Sequence, residues 1–76
     1  MMTRYIIKDL DKRLREAVAD SNMTIVDIAR KSGVRRDYVW QYLMNYRNPG
    51  VYQLLQLAKV LNVSTDWLLG LKEDRI

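Results

Sequence analysis

A chain of 76 residues has room for one small domain, whose limited core would gain stability from a second subunit. With no Cys and no His, it lacks disulfides, thiolate metal sites, the usual general base and the commonest zinc ligand. No catalytic residue, metal, cofactor or small-molecule ligand is therefore expected, and the chain reads as a non-enzyme. No apolar run approaches the ~18 residues a membrane span needs. The N-terminus also lacks the apolar stretch and small-residue cleavage site of a secretory signal, so a cytoplasmic chain with no membrane partner is expected.

Helical spacing dominates the sequence. Met1 to Lys8 is ambiguous: Tyr5-Ile6-Ile7 could extend the first helix, form a strand or serve as an arm. A first helix is predicted from near Asp9, its expected N-cap, to Ser21-Asn22. Leu10, Leu14, Ala17 and Val18 form its apolar stripe. Thr24 should cap a second helix that carries Ile25, Ile28 and Ala29. Gly33 closes it, as a residue that accepts positive φ after a helix. A third helix is predicted from about Arg35 to Met44, followed by a loop over Asn45 to Gly50. The fourth runs from about Val51 to Leu61, with Leu54, Leu55, Leu57, Ala58 and Leu61 as a broad buried face. Ser64 should cap a short fifth helix containing Trp67, Leu68 and Leu69 that ends near Gly70. The expected organisation is an arm or helix extension at 1–8, one domain at 9–71 and a tail at 72–76. Five short helices leave little room for an enclosed substrate cavity, so the fold class is all-α and one helix face must be exposed for work.

The formal charge is +4, from 13 Lys and Arg against 9 Asp and Glu. Its placement is informative. Between Arg30 and Arg47 stand Arg30, Lys31, Arg35, Arg36 and Arg47 against Asp37 alone, a net of +4, so the remainder of the chain nets zero. A footprint on a polyanion and a solvated basic face both fit this distribution.

The same segment carries a spacing pattern. Two helices joined by a tight turn cross steeply. Ala29 supplies the small residue that a close crossing favours, and Gly33 the positive φ of the turn. Val34 plugs the gap beneath it, while Val39 and Tyr42 fix the second of the two helices to the core. This joint spacing is that of a helix-turn-helix.

From Thr24 to Leu69, about two thirds of the chain, the sequence resembles the Cro and phage-repressor type of helix-turn-helix domain, the XRE family. The resemblance rests on Ile28-Ala29, Gly33-Val34, Val39, Pro49, Leu57-Ala58 with Leu61, Val63-Ser64 and Asp66-Trp67-Leu68-Leu69. It implies a compact five-helix, lambda-repressor-like domain whose third helix enters the major groove of double-stranded DNA. Carried onto matching positions, Arg35, Arg36, Asp37 and Gln41 are the base-reading candidates. Arg can fork onto guanine O6 and N7, Gln onto adenine N6 and N7, and Asp can accept from cytosine N4. On a helical wheel Asp37, Gln41 and Met44 oppose Val39 and Tyr42, with Arg36 and Trp40 flanking.

Some of these positions have a second reading. Arg35 and Arg36 could form a solvated first turn, although positive charge there opposes the helix dipole. Asp37 could be a first-turn carboxylate that favours the helix. Trp40 could pack on thymine methyls or a sugar, or bury itself against the fourth helix or a second subunit. Tyr38 could reach a phosphate through its hydroxyl, and Tyr42 is assigned to the core. Further phosphate or sugar contacts are expected from Arg47 and Asn48, with Asn45 and Tyr46 behind them, and from Thr24 at the start of the second helix. Arg13 and Arg15 read as a solvated or ion-paired face.

The chain departs from the family's pattern at two places. Ile25 stands where a Gln commonly bridges a phosphate and steadies the reading residue. Val18 and Leu43 replace a buried Arg–Glu pair, a change the fold tolerates.

The expected function is a sequence-specific transcriptional regulator, a repressor, acting as a homodimer on two half-sites about one helical turn apart. Trp67, Leu69, Leu71 and Ile76 are the candidate dimer surface. No effector domain follows, so the chain is expected to be Cro-sized or the DNA-binding part of a longer repressor. Two rival readings stand: an antitoxin or restriction-modification controller of the same fold, and an interaction module that has lost DNA binding.

Overall fold

The computed structural model describes residues 7–76. The expectation for Tyr5 and Ile6, like most of the 1–8 segment, lies outside the described residues. Among the described residues there are five α-helices and no strand: α1 (Leu10–Ser21), α2 (Ile25–Ser32), α3 (Arg36–Leu43), α4 (Val51–Leu61) and α5 (Thr65–Leu68). None is long and apolar enough to cross a membrane.

The helix ends follow local chemistry. Asp9 precedes α1 in the left-handed region, at φ 63°, and makes no side-chain capping bond. That corrects the expectation that its carboxylate caps the helix. Asp11 is the acidic residue inside the first turn, and it pairs with Arg15. The Arg15 guanidinium bonded to it holds its carboxyl below the usual range; partial burial opposes this, and the Lys12 N–H adds to it.

At α2 the Thr24 hydroxyl accepts from the Asp27 N–H at 3.1 Å, and the Thr24 N–H donates to the Asp27 carboxylate at 3.3 Å. This reciprocal pair satisfies two otherwise open donors. Gly33 ends α2 at φ 74° and donates to the Ala29 carbonyl at 2.9 Å. Buried Ser32 then accepts from the Val34 N–H at 3.1 Å, which stitches the turn from inside.

Every helix contributes one of the most deeply buried side chains: Leu14, Ile28, Val39, Leu57 and Leu68. They meet in a single cluster, with α2 packed on α3 and α4, and α1 packed on α3, α4 and α5. Burial of apolar area is the main force holding so short a chain together. On α4 the buried stripe is Leu57, Ala58 and Leu61 with Leu54 alongside. Leu55, expected in that face, is exposed, because it lies off the i, i+3, i+4, i+7 row.

The segment after α5, read from the sequence as a tail, is fastened to the domain. Arg75 pairs with Asp20 at 2.5 Å and Glu16 at 3.6 Å on α1, and its guanidinium lies 4.9 Å from the centroid of the Trp67 ring. The Ser64 N–H donates to the Arg75 carbonyl. Trp67 is consequently a core residue, which corrects its place in the expected dimer surface. Leu69 is half-buried, whereas Leu71 and Ile76 are exposed.

Candidate nucleic-acid interface

The third helix has two faces. Val39, Tyr42 and Leu43 are buried, while Arg36, Asp37, Trp40 and Met44 are exposed and Gln41 is half-buried. The buried and exposed sides are therefore separate, as the wheel predicts. Its span is one residue shorter at each end than expected. Arg35 is an extended N-cap without a side-chain capping bond, and Met44 is the C-cap.

Two couplings hold this helix against the rest of the fold. Arg15, read from the sequence as a solvated or ion-paired residue, pairs with Asp11 at 3.0 Å and donates to the Leu43 carbonyl at 2.6 Å. A cation thus meets the carbonyl end of α3, where the helix dipole favours it. Near it Leu43 is buried and Val18 partly buried, so the apolar pair named from the sequence contributes to the core. Sequence reasoning missed the Arg15 contact. The only available signals were the i,i+4 spacing of Asp11 and Arg15 and the absence of a basic residue in the last turn of α3.

The polar candidates are paired with one another. Arg35 contacts the Asp37 carboxylate at 3.2 Å, and the Tyr38 N–H donates to the same carboxylate at 3.1 Å. Arg47, in the loop after α3, donates from Nε to the Gln41 side-chain carbonyl at 3.0 Å. That oxygen keeps a second lone pair, and the Gln41 amide keeps its donors.

Tyr38 lies among these groups. The guanidinium carbons of Arg35 and Arg47 stand 5.0 Å and 4.6 Å from its ring centroid, within cation–π range. The ring brings a residue at the start of α3 to the same platform as one in the following loop. Arg36 makes no hydrogen bond or ion pair among the described residues and extends into solvent.

Trp40 does not pack into α4. Its ring sits 5.5 Å from that of Tyr46, tilted by 58°, and both are exposed. Asn45 turns the chain at φ 62°, and the Tyr46 N–H donates to the Gln41 carbonyl at 2.8 Å. The loop carrying Asn45, Tyr46, Arg47 and half-buried Asn48 is thereby folded against the end of α3. Thr24 is exposed at the start of α2, but its hydroxyl is already engaged in the capping box. Tyr42 is buried as expected, and that burial raises its phenol pKa above 10.0.

A family model described as helix-turn-helix matches residues 12–68. The chain belongs to the helix-turn-helix family. The match bears out the resemblance to the Cro and phage-repressor type and the all-α fold class drawn from the sequence. Among curated proteins, the HTH-type transcriptional regulator ImmR of Bacillus subtilis (strain 168) is 39% identical over 64 residues, covering 84% of this chain and 50% of that protein. An uncharacterized HTH-type transcriptional regulator of the same organism, YobD, is 30% identical over 63 residues, covering 83% of this chain and 56% of its own length. The chain thus spans about half the length of these relatives. No solved structure matches it significantly.

Proposed function

We propose that this chain is the DNA-binding unit of a transcriptional regulator, a repressor, that reads operator sequence with α3 in the major groove. One observation carries the reading. The face of α3 turned away from the core gathers Arg35, Arg36, Asp37 and Gln41, and Arg47 joins them from the next loop. The helix-turn-helix family and the names of the two relatives support it. Arg35, Arg36, Asp37 and Gln41 read base edges. Arg47, Asn48, Asn45, Tyr46 and Thr24 address phosphate or sugar. The role is binding rather than catalysis, carried out in the cytoplasm. We further infer a homodimer on an inverted repeat, with exposed Leu71 and Ile76 and half-buried Leu69 at the subunit contact.

Binding to random duplex DNA should fall with salt at a log–log slope of about −0.9 per neutralised phosphate. Selection from a random pool should then yield paired half-sites. Arg36→Ala is expected to cost about 1–3 kcal/mol and relax one base position, whereas Arg47→Ala should weaken all sequences alike. A pool with no consensus would reject specific readout. A monomer by sedimentation, with and without DNA, would reject the dimer. The exposed Trp40–Tyr46 pair favours one competing reading, a protein-interaction module. Steeply salt-dependent DNA binding would dismiss it.

A further inference from the structure

Between the start of α2 and the exposed side of α3 lies an open hollow of about 320 Å³, lined by Ile25, Arg36, Asp37 and Trp40. Its walls are mainly apolar. Ile25 packs partly against the core from the first position of α2. Trp40 is 46% exposed and is braced on its other contact by Tyr46 at 5.5 Å. Both walls are therefore anchored, one by the core and one by a neighbouring ring. The mouth lies beside Arg36 and Asp37, two of the proposed base-reading residues.

An apolar notch within a basic, DNA-facing surface has a natural counterpart. The base edges displayed in the major groove carry donors and acceptors, and one apolar group, the C5-methyl of thymine. We propose that the Ile25–Trp40 hollow receives a thymine C5-methyl group, making Ile25 and Trp40 specificity determinants beside the base read by Arg36. This inference rests on the DNA-binding reading given above. Charge selects DNA as the occupant over an apolar peptide, because Arg36 lines the hollow itself and two more cations, Arg35 and Arg47, stand at the Tyr38 ring of the same helix. A Gln at position 25 would place a polar amide where this chain has an apolar wall.

The test uses the full chain and an operator selected from random DNA. Each thymine is replaced in turn by deoxyuridine, which removes only the C5-methyl and leaves base pairing intact. One position in each half-site, next to the base pair whose identity Arg36→Ala relaxes, should lose about fourfold in affinity, the worth of one buried methyl group. In Trp40→Ala, an exposed change whose folding is checked by circular dichroism, thymine and deoxyuridine should bind alike at that position. The base preference set by Arg36 should persist. The proposal is overturned if the selected site has no thymine there, if no deoxyuridine substitution matters, or if Trp40→Ala still distinguishes the two. Failure to bind any duplex would instead overturn the DNA-binding reading, and random-sequence binding measured first separates the two failures.

Discussion

Replacing Tyr38 by Leu isolates the platform on which two arginines converge. The substitution keeps an apolar body against the core cluster, where Tyr38 is partly buried, and removes the ring. Arg35 and Arg47 stand 5.0 Å and 4.6 Å from that ring, so one change releases both. A cation–π contact at an exposed site is worth about 0.5–1 kcal/mol, so losing two removes about 1–2 kcal/mol of preorganisation. Affinity for a selected operator should fall roughly five- to thirtyfold, at a tenfold change per 1.4 kcal/mol. Fluorescence anisotropy at fixed salt reads the loss, and a thermal melt verifies folding. Tyr38→Phe retains the ring and should bind within about twofold of the parent chain. Three results would refute the reasoning. Tyr38→Leu binding like the parent would mean the ring does not place the arginines. Tighter binding would mean it withholds them from DNA. Tyr38→Phe as weak as Tyr38→Leu would move the effect to the hydroxyl and a phosphate contact.

Arg36→Glu should raise thermal stability slightly, by about 0.3–1 kcal/mol, because an anion suits the start of a helix, and should abolish DNA binding. A melt that falls instead would show that Arg36 makes a stabilising contact in the free chain. Gly33→Ala should cost about 1–2 kcal/mol from its φ of 74° alone, since a Cβ there meets nothing within 4 Å. Gly33→Asn should recover part of that loss in a thermal melt. Burial raises the Tyr42 phenol above 10.0, so its contribution to stability is complete below pH 10 and is lost as pH climbs through the raised value. Tyr42→Phe should flatten that alkaline limb in melts taken across the range.

The fold is legible in the sequence wherever a stripe and a stop signal coincide. Thr24 opens α2 as its cap and Gly33 closes it at positive φ, so both ends follow from residue type. What the sequence does not announce is mainly contact between distant segments. Trp67 looks like surplus apolar surface until Arg75 returns across its ring to Asp20, 55 positions earlier. Arg15 is ion-paired, one of the readings its residue type allows, but its second partner, in α3, is a backbone carbonyl, which no residue type announces. Leu55 was included in a run of leucines too broad for one helix face. At the proposed interface the residue types were legible but their coupling was not. That Gln41 accepts from Arg47, and that Arg35 and Arg47 share Tyr38, depends on how the loop after α3 folds back.

The contrast between α2 and α3 bears on why the interface is built as it is. α2 closes its own N-terminus through Thr24 and Asp27, and Thr24 holds the Asp27 carboxyl below the usual range. Arg30 also pairs with Asp27 at 3.2 Å. The supporting helix is therefore electrostatically complete. α3 begins with Arg35 and Arg36 and makes no side-chain capping bond. Asp37 answers one of these cations and leaves the other in solvent. Two cations at the positive end of a helix are unfavourable in the isolated chain, each by a few tenths of a kcal/mol to about 1 kcal/mol. An external anion reverses that sign, because phosphates satisfy both the open N–H groups and the guanidiniums. Stability is thus concentrated in α2 and the core, while the unbalanced charge lies on the helix proposed to meet DNA. A solvated basic face would need no such division between neighbouring helices.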